Sequence, residues 1–199
     1  MSRSAAAPAR RTPVYDRIME AAVDLFAEKG FDATSVAEIV ERAAVTKGAL
    51  YHYFASKDDL LFEIYHRLIG AQLSDLDRIT SLGLPPDETL RALIADLIAS
   101  TTGNLREAAV FGRESHKLDA AHSSAVRADR RRYHDAVRTL VERAQQDGTF
   151  ARTAPAETVT LIIFGMINQM PKWYRPDGPK APAELATELA DFVLAGLRP

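Results

Sequence analysis

"VTKGALYHYFASKDDL", residues 45–60, decides how this 199-residue chain folds. Thr46 is placed to cap a helix running to about Tyr53, and Ser56 with Asp59 three residues later forms a capping box for the next helix. On the shorter helix Lys47 stacks beside Tyr51 and Gly48 beside His52, whereas Leu50 falls on another side and can anchor the helix to what lies beneath. One polar and aromatic face is left for a partner. Gly48 costs about 1 kcal/mol relative to alanine inside a helix, but its missing side chain lets another surface come close.

Upstream, Thr12 can cap and Pro13 can open a helix with the face Val14, Ile18, Ala21, Ala22, Leu25 and Phe26, ending at Gly30. Ser35 and Glu38 make a second capping box for a short helix with Val36, Ile39, Val40 and Ala43 inward, stopping near Ala44. A short capped helix, a tight turn and a second short helix form the helix-turn-helix pattern, whose second helix enters the DNA major groove. Lys47 supplies a cation for a phosphate or a guanine edge, and Tyr51 and His52 supply hydrogen-bonding groups and flat apolar area. Thr34 and Ser35 at the start of the second helix, Thr46 at the start of the third and Lys57 in the first turn of the fourth fall where a DNA backbone would pass. The candidate DNA contacts are therefore Thr34, Ser35, Thr46, Lys47, Gly48, Tyr51, His52 and Lys57. The plainer alternative makes Ser35 and Ser56 caps only and Lys57 an ordinary surface cation; Phe54 is read as core.

Downstream, the fourth helix carries Leu60, Leu61, Ile64, Tyr65 and Leu68, and "SLGLPPDE" at 81–88 breaks it. Helices are expected from about Pro86, over Arg106 to Lys117, His122 to Gln146, Pro155 to Trp173 and Pro182 to Leu197. Apolar residues recur at three and four with no sustained alternation, so the class is all-α. The stretch "LIIFGMINQMPKWYRPDGP", 161–179, is apolar on most sides and should pack deeply. Amphipathic groups among apolar ones also line pockets, which makes Phe111, Glu114, Phe164, Asn168, Gln169 and Trp173 candidate ligand contacts. The last two helices carry more apolar surface than one partner covers, as expected of a homodimer interface. Arg130, Arg131 and Arg132 could meet phosphates, although a solvated helix face is the plainer reading.

Composition sets limits on this. Net charge is −2, so any DNA binding is local rather than a bulk attraction. Arg3, Arg10, Arg11 and Arg17 against Asp16 alone concentrate positive charge at the N-terminal end, and residues 1–12 read as a flexible basic arm: a solvated tail in the plainer reading, able to settle on phosphates or in a minor groove when DNA is present. There is no cysteine, so thiolate metal sites and disulfides are unavailable. No apolar run is long enough for a signal peptide core or a membrane span, and a cytoplasmic location with no membrane partner is expected. Glu114 with His116, or His134 with Asp135, could be named as acid–base pairs, but no phosphate loop, nucleophile elbow or metal-spaced histidine pair accompanies them. An enzyme is not expected, and no catalytic, metal or cofactor site is assigned. A helical scaffold for protein contacts is the other alternative.

The segment "GFDATSVAEIVERAAVTKGALYHYFASKDDLL", residues 30–61, resembles the DNA-binding domain of the TetR family of transcriptional regulators. The resemblance implies a homodimeric repressor with a helix-turn-helix domain over residues 13–57 and a ligand-binding and dimerisation domain over 58–199. It implies release from a palindromic operator of double-stranded DNA when a small hydrophobic effector displaces the helix from Asp58 to about Ile79. "WYRPDGP", 173–179, also resembles a segment of TetR-like regulators of lipid metabolism, which makes an acyl-CoA one candidate effector.

Overall fold

Helix follows helix from Pro13 to Ala195, with no strand among the described residues. The structure, a computed structural model, describes residues 12–199, so the expected basic arm lies outside the described residues except for Thr12. Helix α1 (Pro13–Lys29) is capped by Thr12, whose hydroxyl accepts from the Tyr15 amide at 3.2 Å, and ends at Gly30 with φ 87°. Helix α2 (Val36–Arg42) has the Ser35–Glu38 capping box, α3 (Lys47–Tyr53) the Thr46 cap, and α4 (Lys57–Thr80) the Ser56–Asp59 box. The tight turn between α2 and α3 is made by Ala44, which takes the left-handed conformation at φ 50°.

Below Thr80 the helices are α5 (Pro86–Gly103), α6 (Leu105–Glu114), a 3-10 turn at Ser115–Lys117, α7 (Ala120–Gln146), α8 (Ala156–Asn168), α9 (Met170–Trp173) and α10 (Pro182–Ala195). Two boundaries differ from the sequence expectation for identifiable reasons. The expected helix from Pro155 to Trp173 breaks at Gln169, because Pro171 has no N–H to give to the carbonyl one turn back. Helix α7 starts two residues early because Asp119 caps it, accepting from the His122 amide at 2.8 Å.

Ile18, Ala22 and Phe26 of α1, Ile39 of α2, Leu50 of α3 and Leu60 and Leu61 of α4 are fully buried together, so the three N-terminal helices and the first turns of α4 share one core. Farther along, α4 packs against α5, α6 and α7, while α10 lies along α5 and α8 along α7. The apolar core runs on through α4 without interruption. Helix α6 also packs on α1, so two helices, α4 and α6, tie the N-terminal helices to the rest.

Candidate nucleic-acid interface and ligand cavity

Helix α3 is two turns long and is anchored chiefly by Leu50, with Tyr53 fixing its end. Leu50 is wholly buried beneath it, and Thr46 closes its N-terminus by accepting from the Ala49 amide at 3.1 Å. Lys47, Gly48, Tyr51 and His52 are then all exposed, Tyr51 at 46%. The Lys47 ammonium sits 5.8 Å from the Tyr51 ring centre, and the His52 ring meets Tyr53 edge-on at 4.9 Å. Tyr53 in turn bonds Thr12 at 2.7 Å, which holds the end of α3 to the start of α1. A Cβ added at Gly48 would meet nothing closer than the Thr46 hydroxyl at 3.9 Å. Nothing in the chain itself demands glycine there.

Ser35 is exposed and shares its hydroxyl with Glu38 in the capping box of α2. Glu38 is pulled down to about 2, first by Lys29 and then by the Ser35 amide and hydroxyl. Two of the expected surface groups turn inward instead. Thr34 is 2% exposed and donates its hydroxyl to the Gly30 carbonyl at 2.8 Å. Lys57 donates to the carbonyls of Phe31 at 2.6 Å and Thr34 at 2.8 Å, with its ammonium 4.2 Å from the Phe31 ring centre. Both residues fasten the loop between α1 and α2; a loop with unpaired carbonyls needs donors, and these are the ones within reach.

A cavity of about 450 Å³ opens between α4, α5, α6, α7 and α8, within the range usual for small-molecule sites. Phe111, Phe164, Asn168 and Gln169 line it, as the sequence suggested, and Glu114 and Trp173 do not. Glu114 is 7% exposed and points toward α1, taking a hydrogen bond from the Arg113 guanidinium at 2.7 Å. Trp173 is half-exposed beyond the break at Pro171. Sequence reasoning named Arg130 as a possible phosphate contact but missed the rest of the walls from α4 and α7, chiefly Tyr65, Leu68, Gln72, Tyr133 and His134. Helical periodicity marks such residues as inward but cannot distinguish packed from cavity-facing ones. The exposed lining residues Arg130 and Lys172 are cationic, and the Arg130 guanidinium lies 5.1 Å over Phe111. Burial raises the Tyr133 and Tyr65 phenols well above their usual range, so both are neutral groups.

The cavity is mechanically close to the N-terminal helices. Phe111 and Gly112 line it, and the next residue, Arg113, donates to the Phe26 carbonyl near the end of α1. On the same helix Arg106 pairs with Asp24, and in the following turn Lys117 pairs with Asp32. From α7, His122 stacks on Phe62 at 4.3 Å and lies 3.6 Å from Asp59 in the first turn of α4. No helix among the described residues is long and apolar enough to cross a membrane.

Comparisons with known proteins agree with this architecture. Residues 18–64 match the profile described as bacterial regulatory proteins, tetR family, and residues 83–197 match the tetracyclin repressor-like C-terminal domain. The transcriptional repressor KstR2 of Rhodococcus jostii is 26% identical over 189 residues, covering 94% of this chain and 91% of that one. The solved structure of the TetR regulator PfmR from Thermus thermophilus superposes with a TM-score of 0.83 at 29% identity, over 92% of this chain and all of that one. AibR, solved in complex with isovaleryl coenzyme A and operator DNA, gives 0.78 at 26% identity over 90% and 97% of the two chains. With both its halves matched, the chain belongs to the TetR family of bacterial regulatory proteins.

Proposed function

We propose that the protein is a homodimeric transcriptional repressor that grips an inverted-repeat operator through α3 and lets go when an acyl-CoA thioester enters the cavity. The observation that carries this reading is that the cavity walls α4 and α6 are the two helices that hold α1, so filling the cavity moves what positions α3. Lys47, Tyr51 and His52 are the base- and phosphate-contacting groups, with Gly48 giving room for close approach and Ser35 and Thr46 available at two helix starts. Thr34 and Lys57 act indirectly, by fixing the loop that presents α2. The apolar walls suit an acyl chain and the rim cations Arg130 and Lys172 suit its phosphates. Complexation of AibR with isovaleryl coenzyme A supports the same class of ligand. In this reading residues 13–57 form the DNA-binding part and 58–199 the sensing part, with α4 belonging mechanically to both.

The release follows from geometry. Two recognition helices related by a two-fold axis must sit about 34 Å apart to read half-sites on one face of DNA, so a few ångströms of spreading loses one side. A ligand that favours the spread state weakens operator affinity by its coupling free energy, typically about 1–3 kcal/mol or about 5- to 150-fold. The test is fluorescence anisotropy of an inverted repeat from DNA flanking the coding region, titrated with protein at increasing decanoyl-CoA. Affinity is expected to fall within that range, and saturating DNA should weaken decanoyl-CoA binding by the same factor. Operator affinity unchanged with decanoyl-CoA bound refutes the mechanism.

A further inference from the structure

The cavity wall is apolar on most sides, with Leu68, Ile69, Leu97, Phe111, Phe164 and Ile167 contributing. Among the polar side chains that interrupt it are Gln72 on α4 and Thr101 on α5, two helices that pack against each other. Both are more than nine-tenths buried, at 9% and 6% exposed. A threonine in a helix normally returns its hydroxyl to the carbonyl one turn back, as Thr102 does to Ile98 at 2.8 Å and Thr160 to Ala156 at 2.8 Å. Thr101 makes no such bond, and its hydroxyl has no hydrogen-bond partner among the described residues. Gln72 spends one amide hydrogen on the Ser100 hydroxyl at 3.2 Å, which fixes the carboxamide and leaves its carbonyl oxygen without a partner among the described residues. Neither oxygen is sealed off from solvent; both are open to the cavity, so a ligand that displaces water from them without replacing its hydrogen bonds loses affinity relative to one that replaces them.

The sign of charge that fits is also determined. Asp75 lies one turn beyond Gln72 on α4, and Asp96 one turn before Ser100 on α5. Asp75 is paired with Arg78 at 2.7 Å and neither carboxylate lines the cavity. The lining residues of α4 and α5 include no cation, however, so a second anion there would be desolvated without a partner, whereas the cationic rim at Arg130 and Lys172 accepts one. We propose that the effector carries an uncharged oxygen, a hydroxyl or a carbonyl, on its apolar body, and that Thr101 and Gln72 recognise it. This rests on the effector reading above and narrows it from any acyl-CoA to one oxygenated along its chain or ring. A threonine hydroxyl donates to a carbonyl, and the Gln72 carbonyl accepts from a hydroxyl, so either group finds a complement.

The probes are decanoyl-CoA, a set of oxo- and hydroxy-decanoyl-CoA isomers with the oxygen moved along the chain, and an acyl-CoA ending in a second carboxylate. Binding is measured by isothermal titration to the full-length protein and to Thr101→Val, a near-isosteric change that removes only the hydroxyl. At least one oxygenated isomer is expected to bind the wild type about five- to tenfold tighter than decanoyl-CoA. The carboxylate-ended probe is expected to bind more weakly than decanoyl-CoA, and Thr101→Val should abolish the preference while binding decanoyl-CoA at least as well. If decanoyl-CoA binds but no oxygenated isomer surpasses it, or if the preference survives in Thr101→Val, the inference is wrong and the effector reading stands. If none of the thioesters binds the wild type, the effector reading falls and takes the inference with it.

Discussion

At the scale of single residues, the two lysines near the proposed DNA surface have opposite roles, and only their surroundings separate them. Lys47 is exposed and stacks on Tyr51, while Lys57 spends its ammonium on two carbonyls of the loop before α2. In the sequence both are cations at the start of a capped helix, so Lys57 reads as a phosphate contact until the loop carbonyls are located. Thr34 is legible for the same limited reason: its type fits a cap or a phosphate, and only the approach of the Gly30 carbonyl turns it inward. Gly48 yields a prediction with two opposite signs. Space for a Cβ exists within the chain, so Gly48→Ala should stabilise the folded protein by up to about 1 kcal/mol through helix propensity alone. If the glycine exists for DNA to approach, the same methyl group should cost operator affinity at least about tenfold, since a clash at a recognition helix removes several contacts together. Thermal denaturation and operator anisotropy measured on one preparation test both; a variant that is more stable and binds equally well removes the close-approach role.

At the scale of helices, α4 and α5 are joined by a seam that no local sequence pattern reveals. Asp75 and Asp96 are two ordinary acidic residues on two amphipathic helices, and their meeting depends on a crossing specified only by the whole packing. The Asp96 Oδ2 atom is buried with no hydrogen-bond partner among the described residues. Its carboxyl is pushed up to about 6, chiefly by burial and then by Asp75, with Arg78 pulling the other way and the neutral Tyr133 phenol nearby. The unfolded chain releases this proton near the ordinary value of 3.8. Between about 4 and 6 the folded state therefore binds more protons than the unfolded one, and stability falls as pH rises across that window and stays lower above it. The full shift corresponds to about 3 kcal/mol at about 1.4 kcal/mol per unit; partial exposure of the side chain reduces this to about 1–2 kcal/mol. Asp96→Asn keeps the shape, cannot ionise and can donate to Asp75. It should be more stable than the wild type by that amount at pH 7.5 in urea titrations, with the gain fading toward pH 4. Equal stability at pH 7.5 means that solvent already compensates the buried charge. By contrast, every helix start with a side-chain cap except that of α7 is readable in the sequence, because capping is written within four residues.

At the scale of the whole molecule, two recognition helices are needed and one chain supplies one. The sequence leads one to expect that the last two helices carry apolar surface beyond what their own chain covers. Helix α8 buries Val159, Ile163 and Ile167 while Leu161 and Ile162 stay 56% and 50% exposed, and α10 buries Leu185, Ala186 and Val193 while Phe192 stays 69% exposed. Large apolar side chains displayed from two adjacent segments of the sequence are the kind of surface a second copy covers. Ile162 and Phe192 also lie off the cavity wall, so changing them leaves the proposed ligand contacts alone. The double substitution Ile162→Glu and Phe192→Glu adds charge only where the single chain already meets solvent, and helicity by circular dichroism should be retained. Sedimentation at micromolar concentration should then change from dimer to monomer. Operator affinity should fall by about 10²- to 10⁴-fold, the amount that linking two half-site contacts supplies, while each α3 keeps its weak hold on a single half-site. A double variant that still sediments as a dimer moves the interface elsewhere; one that is monomeric yet binds the full inverted repeat as tightly as before removes the paired reading of the operator altogether.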